Sequence, residues 1–148
     1  MNISDILTLE RTYADLNCVS KKRTLESISR WVAEQMPEFN GKEVFNALIG
    51  REKLGSTGFG EGIAIPHCRL RSCTQVTGAL VRLETAIDFD AIDQQPVDLL
   101  FVLLVPQEAT DEHLQILATL AGSFGQAEFR EQLRNAADAD AMYQIAIA

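Results

Sequence analysis

Val97-Asp98-Leu99-Leu100-Phe101-Val102-Leu103-Leu104-Val105 is apolar at every position except Asp98. A strand with one solvated face alternates apolar and polar residues, whereas an unbroken apolar run predicts a strand covered on both faces. Pro106 closes the run, because proline brings no N–H to a ladder. A strand of this kind belongs at the centre of a sheet, with helices packed on either side.

The flanking sequence supplies them. Downstream, Thr110 is placed to cap a helix whose apolar stripe reads Leu114, Leu117, Ala118 and Ala121. A segment at 126–135 and an Asp138-capped one ending near Ala146 also read as helices. Upstream, strands are predicted at roughly 61–66 and 76–84. Thr12, Ala14, Leu16 and Cys18 alternate with Arg11, Tyr13, Asp15 and Asn17, which predicts a half-buried strand. Ser20 then caps a helix with Leu25, Ile28, Val32, Ala33 and Met36 on one face, stopped by Pro37. Asn40 followed by Glu43 resembles a capping box that opens a second helix, with Val44, Leu48 and Ile49 buried and Gly55 as terminator. The fold class is therefore α/β: one domain over residues 1–148, a mixed sheet of about five strands sandwiched between helices.

Composition narrows the function. Of the 148 residues 47% are apolar and 23% charged, ordinary for a globular protein, and the net charge is −8. Nucleic-acid binding wants a basic face, so that class is disfavoured. Asp5, Glu10 and Arg11 interrupt the apolar residues near Met1, which argues against a secretory leader, and the run from Leu99 to Val105 is too short to span a membrane. Cys18, Cys68 and Cys73 are odd in number and irregularly spaced, unlike a secreted disulfide framework. A cytoplasmic location is expected, with no membrane insertion.

The chemistry concentrates in Gly60-Glu61-Gly62-Ile63-Ala64-Ile65-Pro66-His67, a glycine-rich approach to one of only two histidines. Pro66 reads as the end of a strand, which leaves His67 at a carboxy edge, where α/β proteins place ligands. His113 falls in the first turn of the helix after the central strand. If the two strands are parallel, both imidazoles share one edge of the sheet.

Several readings of these residues can be set aside. The glycines at 55, 58, 60 and 62 lead into a strand rather than from a strand into a helix, so they do not form a nucleotide fingerprint. They can still offer backbone N–H groups to a single phosphoryl group. His67, Cys68 and Cys73 make an incomplete zinc set. Strand neighbours point to opposite faces, so His67 is badly placed to activate Cys68 as a nucleophile. Counted from Asp88, a calcium loop would need glycine and glutamate where Asp93 and Leu99 stand, so the acidic stretch reads as a solvated turn. No cofactor or metal is expected. An imidazole can itself attack phosphorus, given a neutral ring nitrogen and donors for the phosphoryl oxygens. His113 at a helix N-terminus and Arg51 just before the loop are suited to that second task.

Arg51-Glu52-Lys53-Leu54-Gly55-Ser56-Thr57-Gly58-Phe59-Gly60-Glu61-Gly62-Ile63-Ala64-Ile65-Pro66-His67 strongly resembles the type-2 IIA domains of the bacterial phosphotransferase system. Ser20-Lys21-Lys22-Arg23 resembles that family's first-helix entry, and Asp93–Phe101 its central strand. The resemblance implies that His67 is the phosphorylated residue, with Arg51, His113 and Thr57 stabilising the phosphoryl group. It further implies a phosphorylated HPr-like protein as donor. The Gly-Ser-Thr-Gly loop on a free-standing chain resembles the nitrogen-related branch. That branch regulates partner proteins of nitrogen metabolism and potassium transport through its phosphorylation state. A fructose- or mannitol-type component passing phosphate to a IIB domain is the alternative. Cys68 stands where many relatives carry glycine, which would alter the pocket rim or add redox sensitivity.

Overall fold

The computed structural model describes residues 1–148, the side chains of Glu112 and Leu114 excepted. A short helix α1 (Ile3–Ile6) and a 3-10 turn at Leu9–Arg11 lead into β1 (Thr12–Leu16). Helices α2 (Lys21–Gln35) and α3 (Gly41–Lys53) follow, then the short strands β2 (Gly58–Gly60), β3 (Ile63–Ala64) and β4 (His67–Leu70). The long strands β5 (Thr77–Ile87) and β6 (Val97–Pro106) precede α4 (Asp111–Phe124), α5 (Ala127–Asn135) and α6 (Ala139–Ile147).

The six strands form one mixed sheet in the order β1-β5-β6-β3-β2, with β4 also on β6. β6 is the central strand that its sequence predicts: Leu99 to Leu104 are all essentially inaccessible. It runs antiparallel to β5 and parallel to β3 and β4. On one face Leu25, Ile28 and Val32 of α2 and Val44 and Leu48 of α3 pack against Val81, Leu100, Val102 and Leu104. On the other, α1, α4 and α6 bring Ile6, Ile116, Leu120, Phe124 and Met142 against Leu80, Leu99, Phe101 and Leu103. Alternate residues of β6 thus feed two separate cores, which is why no polar position survives between Leu99 and Val105.

The predicted caps form where their chemistry is local. The Ser20 hydroxyl accepts from the Arg23 amide at 3.1 Å and the Asp138 carboxylate from the Ala141 amide at 2.9 Å. Asn40 accepts from the amides of Lys42 and Glu43, but Glu43 does not complete a box; it takes the Ser72 hydroxyl instead.

Four expectations need correction. The strand read at 61–66 shrinks to β3 at Ile63–Ala64, and a further short strand, β4, begins only at His67; the sheet expected to have about five strands has six. In β1 the alternation breaks at Asp15, whose φ is 58°: Ala14 packs on one core while Leu16 and Cys18 pack on the other. In α4 the buried line is Ile116, Leu120 and Phe124, four apart, and Ala118 is exposed. Bulk decides the helix phase, and Ala118 has too little of it. Leu114 of the predicted stripe lies outside the described side chains. The acidic stretch is not wholly solvated, since Phe89 and Ala91 between its aspartates are buried.

Candidate functional site

Residues 63–70 keep one register against β6, from Ile63 opposite Leu99 to Leu70 opposite Pro106. The run is interrupted only at Ile65 and Pro66, and even there the Pro66 carbonyl accepts from the Leu103 amide at 2.9 Å. His67 is therefore not at a strand's carboxy end. It opens β4, just past a break that proline imposes because it has no N–H to give.

That break shapes the imidazole's surroundings. The Ile65 amide turns away from β6 and donates to the Thr57 carbonyl at 3.1 Å. β2 pairs no further than Ala64, so the Ile65 carbonyl has no strand partner. The His67 ring fills the vacancy, with Nδ1 at 2.8 Å from that oxygen. A carbonyl only accepts, so Nδ1 carries the proton and Nε2 keeps its lone pair. His67 remains partly open to solvent, and burial holds its pKa below the ordinary 6.5. The Ile65 carbonyl opposes this, the Arg51 charge reinforces it, and the Glu52 charge opposes it again.

Arg51 lies in the last turn of α3 and donates to the Gly55 carbonyl at 2.8 Å. Beside it, Glu52 is buried, its Oε2 at 2.6 Å from the Lys21 ammonium of α2. Glu52 Oε1 accepts from the Thr57 amide at 2.8 Å and from the Thr57 hydroxyl. Thr57, read from the resemblance as a phosphoryl contact, is as folded buried and turned to Glu52. It holds the loop in place. Glu52 and Lys21 were missed as site residues, although Glu52 follows Leu48 by four and so continues the buried face of α3.

His113 is the third residue of α4, and its Nδ1 accepts from the Thr110 amide at 3.3 Å. The proton then sits on Nε2, which is free to donate. β3 and β4 do run parallel to β6, but His67 opens β4 opposite Leu103 while His113 follows the end of β6, so the two histidines do not both stand at carboxy ends of strands. Among the described residues no hydrogen bond joins His67 to Arg51 or His113.

The glycine turn before His67 is anchored from outside the loop. Gly60 and Gly62 have φ of 109° and 78°, and Glu61 between them 59°. Arg134 of α5 donates to the Glu61 carbonyl at 2.7 Å while pairing with Asp98 at 2.9 Å. The Glu61 amide is held by Asp93 at 3.0 Å.

Cys68 faces the α2–α3 core, not a pocket rim, and burial pushes its thiol up to about 12. That removes the thiolate a cysteine nucleophile needs. Among the described residues no group of three potential ligands is gathered for a metal, and no helix is long and apolar enough to cross a membrane.

The site thus offers a partly exposed imidazole of fixed tautomer that feels the charge of an arginine, on an α/β scaffold. Residues 5–147 match the family described as phosphoenolpyruvate-dependent sugar phosphotransferase system, EIIA 2, and the chain belongs to that family. It is 50% identical over 147 residues to a nitrogen regulatory protein of Pseudomonas aeruginosa, covering 99% of this chain and 96% of that one. The crystal structure of nitrogen regulatory protein IIA-Ntr from Neisseria meningitidis superposes with a TM-score of 0.90 at 43% identity, covering 97% and 98% of the two chains. The mannitol IIA enzyme of Escherichia coli, solved in complex with phosphorylated IIB, shares the fold at a TM-score of 0.78 and 17% identity, over 95% and 96% of the chains.

Proposed function

We propose that the chain is a phosphoryl carrier of the nitrogen-related phosphotransferase system. His67 takes its phosphoryl group from a phosphohistidine of an HPr-like protein. The phosphorylation state then selects the regulatory partners it binds, in nitrogen metabolism and potassium homeostasis. The observation that carries this reading is the bond from His67 Nδ1 to the Ile65 carbonyl, which leaves Nε2 as a free, neutral nucleophile.

In the transfer, the Nε2 lone pair attacks phosphorus as the donor's P–N bond breaks, and the donor imidazole leaves with that electron pair. The His67 ring becomes cationic, and its Nδ1–H remains on the Ile65 carbonyl, which stabilises the charge. Arg51 and the Nε2–H of His113 neutralise the phosphoryl oxygens, so positioning and electrostatics do most of the work.

The mannitol enzyme, solved with phosphorylated IIB, illustrates the alternative, a sugar-transport component that charges a IIB domain. At 17% identity it supports the fold alone, whereas the relative at 50% favours the regulatory branch.

Incubation with a phosphorylated HPr-like donor is expected to add one acid-labile phosphoryl group, and His67→Ala to accept none. Acceptance by His67→Ala at the normal rate would overturn the assignment. Partner capture with His67→Ala and His67→Asp tests regulation; identical partner sets would exclude a phosphorylation switch. Efficient charging of a IIB domain would move the chain to the transport alternative.

A further inference from the structure

We infer that Glu52 is a positioning residue for His67, acting through Thr57 and Ile65; this rests on His67 being the phosphoryl acceptor. Glu52 is costly where it stands. A carboxylate in the last turn of a helix works against the helix dipole, and burial adds a desolvation penalty. Lys21 offsets the charge, at 2.6 Å from Oε2. An ion pair alone would leave Oε1 unexplained. That oxygen is spent entirely on Thr57, accepting both its amide and its hydroxyl.

The grip continues through the backbone. The carbonyl of Thr57 receives the Ile65 amide at 3.1 Å, and the carbonyl of Ile65 receives His67 Nδ1 at 2.8 Å. Pro66 limits the conformations open to Ile65, so its carbonyl has little freedom to turn elsewhere. Past Thr57 each link is a single hydrogen bond, and the chain runs from a buried ion pair between α2 and α3 to the tautomer of the nucleophile. In water, neutral imidazole prefers its proton on Nε2, the atom that must attack. Glu52 therefore keeps the proton on the other nitrogen by fixing the carbonyl that holds it.

The test compares wild type, Glu52→Ala and Glu52→Gln. The ring ¹⁵N shifts of His67 above its titration range report the tautomer, and phosphoramidate, a small phosphoryl donor, reports single-turnover phosphorylation, with His67→Ala as blank. Wild type is expected to be wholly Nδ1–H. Glu52→Ala is expected to show mixed tautomers and phosphorylation slowed about 10- to 100-fold, the usual cost of a small misplacement at a reacting centre. Glu52→Gln keeps an oxygen for Thr57 and is expected to recover the wild-type tautomer and most of the rate.

An unchanged tautomer and rate in a folded Glu52→Ala overturns the inference. Should that variant fail to fold, Thr57→Val decides: it loses one of the two bonds to Glu52, and wild-type behaviour in it overturns the inference equally. If wild type resists phosphoramidate while the tautomer still shifts in Glu52→Ala, positioning stands and the carrier reading falls. If wild type is phosphorylated and every variant keeps its tautomer, the reverse holds.

Discussion

His67 and Cys68 are neighbours at the start of β4, yet the thiol is buried in the α2–α3 core while the ring stays partly exposed on its bond to Ile65. Their separation has a chemical consequence. Cys68 is pushed up to about 12 and Cys73 to about 11, from an ordinary 9, in both cases chiefly by burial. At neutral pH the Cys68 thiolate is then about a thousandfold scarcer than in an ordinary cysteine. Iodoacetamide should modify the partly exposed Cys18 first, and phosphoryl acceptance should survive. Peptide mapping by mass spectrometry checks the order. Rapid Cys68 alkylation with loss of activity would restore the cysteine-nucleophile alternative.

The tautomer fixed by Ile65 specifies the bond that phosphorylation makes. The phosphoryl group is expected on Nε2, giving the tele isomer. Ring ¹⁵N–³¹P couplings distinguish the two isomers directly, and the pros isomer would show that the ring must leave the Ile65 carbonyl before reacting.

Burial lowers the pKa of His67 below 6.5, and the Arg51 charge lowers it further. The neutral ring is the nucleophile, so acceptance should persist below pH 6.5 and fail only as the pH drops through the folded value. Stability follows the same sign: below 6.5 the unfolded chain takes up the proton first, so this contribution is lost as pH falls. Arg51→Ala is expected to raise the His67 pKa, and removing the Glu52 charge to lower it. An NMR titration of the ring tests both directions, and a fall on Arg51→Ala would contradict the arrangement described.

What the sequence made legible was what depends on neighbours in the chain. Ser20 and Asp138 cap their helices through amides three residues on, and β6 declares its double burial in its own composition. What it hid depends on distant partners. Pro66 reads as a strand end, but the register past it is held by Leu103 and Leu104 of β6. Glu52 falls on the buried face of α3, but only α2 supplies the lysine that lets a carboxylate be buried there. The α1 helix escapes a pattern reading because it is a single turn, held by Ile3 and Ile6 docking on a core built by the rest of the chain.

Two glycines flanking the site should respond to alanine in opposite ways. Gly62 has φ of 78°, and a Cβ there would run into the Arg134 guanidinium and come within 3.1 Å of Asp98. Arg134 can move, but only by loosening its hold on Asp98 and on the Glu61 carbonyl. Strained backbone and a weakened anchor together should cost Gly62→Ala about 1–3 kcal/mol. The turn leading to His67 should also show faster amide exchange. Gly50 sits exposed inside α3, immediately before Arg51, with nothing within 4 Å of the added methyl. There alanine only removes freedom from the unfolded chain and improves helix propensity, so Gly50→Ala should gain about 0.5–1 kcal/mol. Urea unfolding of both variants measures the two signs. Equal destabilisation would mean that the end of α3 needs the flexibility of Gly50, and that Arg51 is held less firmly than its bond to Gly55 indicates.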